Sequence, residues 1–180
     1  YPALIDAAAG SRIEYALLSA SAYAMAWAMC ECVEPMVIAQ AGDGSAEFSQ
    51  IVITRQDGAP DLGALDGQSV AAIGTKTAGG NLLALHELAQ AGLDLDAEGA
   101  GLVAYDTNEE ALAALAGGEA AAMIGWSSMR GEQAQGYTRG TLRHIVRREG
   151  SIDNYRIIWQ SSTIPHRTHA IRKNLPAEAK

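Results

Sequence analysis

The chain has 180 residues, of which 48% are hydrophobic and 19% are charged, a composition typical of a folded globular protein. Thirteen lysines and arginines against 21 aspartates and glutamates give a net charge of −8. This charge argues against a general binder of nucleic acid or anionic membranes, because such binders need a basic surface. The length allows one large domain or two small ones, and no apolar run reaches the roughly 18 residues of a membrane span.

Hydrophobic periodicity predicts strands that alternate with helices along the whole chain. In chain order we expect a helix at 2–9, a strand at 13–18, a helix from 21 to about 32, a strand at 36–40, a long strand at 50–55, a short helical turn at 61–65, a strand at 69–74, a helix at 81–92, a strand at 101–105, a helix at 109–118, a strand at 120–125, one or two helices within 126–148, a strand at 155–159 and the start of a last helix at 175–180. This alternation predicts an α/β protein with largely parallel sheets, which bind ligands where strands end and helices begin.

The two cysteines, Cys30 and Cys32, are separated by one residue at the predicted end of a helix. In a helix they would lie on divergent faces, and two ligands do not complete a zinc site. We therefore interpret them as packing or half-exposed thiols. No metal and no cofactor is expected.

The stretch GTKTAGG, residues 74–80, lies where the predicted helix at 81–92 opens. Thr77 as an N-cap would leave the amides of Ala78, Gly79 and Gly80 free to face a small tetrahedral anion, with the hydroxyls of Thr75 and Thr77 beside it. The alternative is a loop that needs flexible geometry, with Thr77 capping only its own helix. The stretch is neither a P-loop nor a dinucleotide-binding motif, so a nucleotide fold is not supported.

Other strand-to-helix turns carry hydroxyl groups. Ser19 and Ser21 offer a second helix start to the same ligand, or Ser21 simply caps its own helix. Ser127 and Ser128 are expected to start a further helix, with Trp126 either as a wall of the site or in the core.

The turn DTNEE contains Thr107 and Glu110 at the spacing of a capping box. Glu110 therefore needs no catalytic role. Asn108 stands one residue inside that helix, from where it could reach a ligand.

The residues give no sign of an enzyme. No nucleophile elbow, metalloprotease motif or paired carboxylates can be recognised. The four histidines, His86, His144, His166 and His169, have no evident nucleophile to serve, and we interpret them as surface residues.

Taken in order, these segments resemble the substrate-binding proteins of phosphonate, phosphite and phosphate ABC importers. The matching pieces are the opening helix, RIEYALLSASAYAMAW, DGSAEFSQIVITRQD, LGALDGQSVAAIGTKTAGGNLL, ALAALAGGEAAAMIG and YRIIWQSSTIPHRTHAIRKNLP. The resemblance implies a type II periplasmic-binding fold, in which two hinge strands, here QIVITR and YRIIWQS, join two α/β lobes around a ligand cleft. Lobe one would comprise 1–50 plus 159–180, and lobe two 51–158. It also implies a strand and helix before Tyr1 and further helices after Lys180.

The resemblance further implies roles for single residues. Tyr1 matches a cleft tyrosine that hydrogen-bonds the anion, and Phe48 matches a cleft aromatic. Related aminoalkylphosphonate binders have a histidine where Asn108 aligns and acidic residues where Ser128 and Arg167 align. Since nothing here would pair with a ligand ammonium, 2-aminoethylphosphonate is disfavoured. Arg167 either supplies a cation to the anion or points into solvent.

We therefore expect a solute-binding component of an ABC importer that captures phosphonate, phosphite or phosphate through helix N-termini. Its partners would be this small anion and a permease, with no nucleic acid. It would act as a periplasmic or lipid-anchored monomer. The alternatives are a ligand-sensing domain of the same fold in a regulator or receptor and an enzyme on this scaffold.

Overall fold

The computed structural model describes residues 2–74, 81–95 and 101–179. The chain divides into two compact units, Tyr1–Glu47 with Ile164–Lys180 (unit one) and Phe48–Thr163 (unit two). It passes from one unit to the other at the start of one long strand and near the end of another. That these units are lobes enclosing a ligand stays a prediction.

The described residues form five α-helices and eight β-strands. The helices are α1 (Pro2–Ala9), α2 (Ala20–Cys30), α3 (Leu82–Gln90), α4 (Asn108–Gly117) and α5 (Thr141–Glu149). The strands are β1 (Tyr15–Leu18), β2 (Val33–Ile38), β3 (Glu47–Arg55), β4 (Val70–Ile73), β5 (Leu102–Tyr105), β6 (Ala122–Ser127), β7 (Tyr155–Pro165) and β8 (Thr168–Arg172). Short 3-10 turns occupy Gly63–Leu65, Gln133–Gln135 and Ala177–Ala179. The α/β class is confirmed, and none of the described helices is long and apolar enough to cross a membrane.

Unit one contains a three-stranded sheet in the order β1-β8-β2. Strand β8, which the sequence did not predict, pairs antiparallel with both neighbours. Helices α1 and α2 pack in one apolar cluster with the sheet, to which α2 contributes the small side chains Ala22 and Ala26, 1% and 0% exposed. Alanine at these positions lets the helix backbone lie close to the strands.

Unit two contains a five-stranded sheet in the order β5-β4-β6-β3-β7. Strand β4 runs parallel to β5 and β6, whereas β3 runs antiparallel to β6. The expectation of largely parallel sheets is therefore wrong for unit one and holds only in part for unit two. In both units the helix-linked strands run the same way, as crossover connections require. The antiparallel pairs involve β8 and β3, which lie next to the points where the chain changes units.

Strand β3 is buried on both faces of its sheet, from Ser49 to Thr54. Ile51 and Ile53 pack in one cluster with helices α4 and α5, and Val52 packs in another with helix α3. Because successive side chains point to opposite faces, this register assigns every residue of β3 to either the α3 face or the α4/α5 face of the sheet.

Cys30 and Cys32 form a disulfide, with 5.0 Å between their Cα atoms. The interpretation of both as free thiols is wrong because it assumed a helix running through Cys32. Helix α2 ends at Cys30, and Glu31 takes a left-handed conformation with φ 49°. This turn brings the two side chains together at a separation suited to a disulfide.

Candidate functional site

The candidate site is one edge of the sheet in unit two. The parallel strands β4, β5 and β6 all end there, at Ile73, Tyr105 and Ser127. Strand β3 begins at the same edge, because its Ser49 pairs with Ser127. Ligands of α/β proteins bind at the carboxyl ends of parallel strands, where backbone N–H groups of following helices are unpaired.

The start of helix α3 is held at this edge by Gln50. The Gln50 Oε1 accepts the backbone N–H of Ala84 at 3.0 Å, and its Nε2 donates to the Asn81 Oδ1 at 3.3 Å. The Asn81 Nδ2 in turn donates to the carbonyls of Ile73 and Gly74, at 3.2 and 3.0 Å. This buried network therefore joins the end of β4 to the beginning of α3 and β3.

Helix α3 has Asn81 at its N-cap, not Thr77 as predicted. The correction has a physical reason, since the Asn81 side chain is bonded to the end of β4 while its backbone carbonyl accepts the N–H of Leu85 in the first turn of the helix. The first turn of α3 contains no acidic residue. Its partial positive charge is therefore not neutralised by its own side chains.

Three further side chains lie on the α3 face of the edge. Gln50 is directly opposite Trp126, so their side chains share a face, and Phe48 points the same way as Gln50. The rings of Phe48 and Trp126 meet edge to face, with centroids 5.7 Å apart. The guanidinium carbon of Arg139 lies 5.7 Å from the Trp126 ring centroid, within the range of a cation–π contact. Trp126 is half-buried, so it belongs to the wall of this edge.

Ser127 and Ser128 do not start a helix as predicted. Ser127 is the last residue of β6, and Ser128 begins a loop. The Ser128 Oγ lies 2.8 Å from the Thr138 Oγ1, and its backbone N–H donates to the Arg139 carbonyl. The hydroxyl of Ser128 is thus used to close the loop, and its predicted ligand contact stays a prediction.

Asn108 lies at the start of α4, on the opposite face of the sheet from α3. The predicted capping box of Thr107 and Glu110 is present, with the Glu110 carboxylate accepting the N–H groups of Asp106 and Thr107. This carboxylate already occupies the positive end of α4 and disfavours a second anion there. The Asn108 Oδ1 is buried without a partner among the described residues, so it suits a hydrogen-bond donor better than an oxyanion.

In unit one, Ser19 rather than Ser21 caps helix α2. The Ser19 Oγ accepts the N–H of Ala22 at 3.2 Å and lies 3.3 Å from the Ser21 Oγ. The first turn of α2 has no acidic residue, like that of α3. The described residues provide no acceptor for the N–H groups of Ala20 and Ser21, which leaves both available to an anion.

Arg167 is exposed, and its backbone carbonyl accepts the N–H of Ala39. No hydrogen bond or ion pair joins its guanidinium to another residue within the described ranges. The remaining predicted site residues lie outside the described residues; they are Tyr1, Thr75, Thr77, Ala78, Gly79 and Gly80.

The opposite edge of the same sheet has a groove lined in part by Arg55, Glu149 and Tyr155. Burial, reinforced by the nearby Glu149 carboxylate, raises the pKa of Tyr155, which donates to Glu149 at 3.2 Å. Arg55 is paired with Asp57 and also donates to the Leu115 carbonyl. The groove lies where β3 ends rather than where the parallel strands end, so we do not assign the site to it.

In unit one, burial raises the pKa of Tyr23, and the negative charge of Glu34 raises it further.

Comparison with known proteins agrees with this fold. The family model of the phosphonate periplasmic substrate-binding proteins of ABC transporters matches residues 1–180. The chain belongs to this family. Among solved structures, XAC2383 from Xanthomonas citri bound to ATP is 15% identical, with a TM-score of 0.70, over 98% of this chain and 64% of that one. A binding protein component of an ABC phosphonate transporter from Pseudomonas aeruginosa is 16% identical, with a TM-score of 0.60, over 99% of this chain and 57% of that one.

At these identities the solved structures show the fold alone, which is that of periplasmic binding proteins. The chain spans 64% of the length of XAC2383 and 57% of that of the Pseudomonas aeruginosa protein. No curated protein matches it. The family is one of transporter binding proteins rather than of enzymes.

Sequence reasoning missed three residues of the candidate edge: Gln50, Asn81 and Arg139. Gln50 is a polar residue at the head of an apolar strand, and this contrast was the one signal available. Asn81 directly follows GTKTAGG, but the helix N-cap was assigned to Thr77 within that stretch. Arg139 lies in an irregular loop with no periodic pattern to place it.

Proposed function

We propose that the chain captures a small phosphorus oxyanion, such as a phosphonate, phosphite or phosphate, for delivery to the permease of an ABC importer. The observation that carries the proposal is the family match over residues 1–180. Periplasmic or lipid-anchored location and action as a monomer are part of the same proposal.

The geometry supports an anion rather than a cation. Helices α2 and α3 both begin without an acidic residue in the first turn, and backbone N–H groups at such starts bind oxyanions without a formal counter-charge. We propose that the amides of residues 78–80, with the hydroxyls of Thr75 and Thr77, contact the anion. Ser19, Ser21 and Tyr1 are further proposed contacts of the anion.

The aromatic pair of Phe48 and Trp126 supports a ligand with an apolar group. A P–H or P–C bond can lie against these rings, whereas the fourth oxygen of phosphate or sulfate would lose hydrogen bonds there. The site should therefore rank alkylphosphonate and phosphite above sulfate.

Isothermal titration calorimetry of the 180-residue chain tests the proposal. The panel is methylphosphonate, phosphite, phosphate, sulfate and ATP, the last because a neighbour of the same fold is described as bound to ATP. We expect heat from at least one phosphorus oxyanion and weaker or no heat from sulfate. Thr77→Val should lower the affinity about 10-fold, since it removes one hydroxyl and keeps the shape of the side chain.

Absence of heat from every phosphorus compound would refute the proposal. Tight binding of ATP with no binding of the small anions would replace it by capture of a nucleotide or another organic phosphate. Equal affinity for sulfate and methylphosphonate would remove the role given to the two aromatic rings.

A further inference from the structure

Arg139 is a cation placed at the candidate edge by a loop that returns to strand β6. Its guanidinium lies over Trp126, whose partner across the strands is Gln50. Gln50 binds the N–H of Ala84 in the first turn of α3. Arg139 therefore stands on the same face and at the same edge of the sheet as the start of α3.

Close backbone packing fixes the position of Arg139. The next residue, Gly140, has φ 115° and bridges Ser127, and a Cβ atom built on it would lie 2.2 Å from the Trp126 carbonyl oxygen. Only glycine fits this approach. The Arg139 carbonyl also accepts the N–H of Ser128 at 3.1 Å. The loop is thus closed on both sides of β6, and the arginine is held beside Trp126.

The charge of Arg139 contacts the Trp126 ring but has no carboxylate partner in the described chain. In residues 2–74, 81–95 and 101–179, no carboxylate forms a salt bridge with it. The side chain is half-buried, and the cation–π contact leaves the edges of the planar guanidinium free to donate hydrogen bonds. A half-buried arginine without a carboxylate partner is suited to an oxyanion, which it can bind in a bidentate manner.

We propose that Arg139 pairs with the bound anion and makes the site prefer dianionic ligands to monoanionic ones. This inference rests on the proposed function. A full positive charge interacts more strongly with two negative charges than with one, whereas neutral amides discriminate less between them. The ligand class is therefore a phosphonate or related group in its doubly ionised form.

The test compares the pH dependence of binding for two probes. Methylphosphonate passes from monoanion to dianion near neutral pH, and hypophosphite stays a monoanion. For the wild-type chain we expect methylphosphonate affinity to rise across this change and hypophosphite affinity to stay flat. Arg139→Gln should lower the affinity for dianionic methylphosphonate about 10- to 100-fold and flatten its pH profile.

Three further variants separate charge from structure. Arg139→Met keeps apolar packing over Trp126 and should behave like Arg139→Gln. Arg139→Lys should keep the rise with pH, because it retains the charge. Arg147→Gln removes the same charge from exposed α5 on the opposite face and should bind like wild type. Thermal unfolding of each variant shows whether it is folded.

Wild-type affinity and an unchanged pH profile in both folded neutral variants would overturn the role of Arg139 while leaving the proposed function intact. If the wild-type chain binds neither methylphosphonate nor any other phosphorus anion, the proposed function fails and this inference fails with it. Lower thermal stability with unchanged binding would mean that Arg139 only covers Trp126, which also overturns the inference.

Discussion

Replacing Gln50 by methionine should destabilise unit two more than any exposed polar substitution. Methionine fills nearly the same volume but offers no amide, so the Ala84 N–H and the Asn81 Oδ1 both lose their bond to Gln50. Gln50 and Asn81 are 5% and 8% exposed, so water cannot readily replace the two lost hydrogen bonds. At about 1–3 kcal/mol for each of the two buried groups left unpaired, the free energy of unfolding should fall by about 2–6 kcal/mol.

The assay is urea denaturation followed by tryptophan fluorescence. Trp27 lies in unit one, and Trp126 and Trp159 lie in unit two, so a Trp27→Phe background restricts the signal to the second unit. Gln160→Met is the matched control, because Gln160 is exposed and makes a hydrogen bond to a serine of β3. We expect the control to change the free energy of unfolding by about 0.5 kcal/mol or less.

Equal shifts for the two glutamine variants would refute the reasoning, since they would show that the buried amide network contributes no more than an exposed bond. A large shift confined to Gln50→Met supports it. Loss of anion affinity in the same variant would add that the start of α3 must be held in place for binding.

Three other predictions follow from local geometry. Gly140→Ala should lower the free energy of unfolding by more than about 3 kcal/mol, because its Cβ would overlap the backbone of β6. The control Gly150→Ala, at a glycine that also has positive φ but open space around it, should lower it by about 1 kcal/mol. Equal losses for the two variants in chemical denaturation would contradict this. Replacing Cys30 and Cys32 by serine should lower the free energy of unfolding by only about 1.5 kcal/mol, because their disulfide closes a three-residue loop. A measured loss above about 4 kcal/mol would contradict this. The raised pKa of Tyr155 means that the folded state holds the phenol proton more firmly than the unfolded state, so stability is lost as pH rises above about 10. The Tyr155→Phe variant should lose less stability over that range. Parallel profiles of unfolding free energy against pH for this variant and the wild type would contradict the prediction.

The sequence predicted the elements that carry a clear local pattern, such as an apolar run or a capping box. Strand β3 reads as a continuous apolar run because both of its faces are covered, and the run QIVITR marked it. Helix α4 begins where the T-x-x-E spacing predicts, since Thr107 and Glu110 satisfy each other's orphan groups without help from the rest of the chain.

Pairing between distant residues decided what the sequence did not reveal. Strand β8, with the sequence THAIR, has only two apolar residues, Ala170 and Ile171, and follows β7 after a short connection. It becomes the central strand of unit one by pairing with β2 and with β1, the latter 150 or more residues earlier. No local pattern records that pairing, so no strand was predicted at Thr168–Arg172.

The position of Arg139 could not be predicted from the sequence, for a different reason. It depends on Gly140, whose missing side chain allows the loop to close against the end of β6. A glycine in an irregular stretch is usually interpreted as a turn residue, and the sequence does not show which backbone it approaches. Ser128 was expected to start a helix because it follows a predicted strand, whereas its hydroxyl closes this loop onto Thr138.

A chain with a net charge of −8 can bind an anion only if the local field at the site outweighs the distant carboxylates. Charges separated by more than about 8 Å are largely screened at physiological ionic strength, so those carboxylates count for little at a half-buried edge. What matters there is the absence of acid in the first turn of α3 and the presence of Arg139 over Trp126. Raising the salt concentration should therefore weaken methylphosphonate binding only slightly, because its main contacts would be short-range hydrogen bonds. A steep loss of affinity with salt would instead indicate diffuse surface attraction, which this acidic chain is poorly equipped to provide.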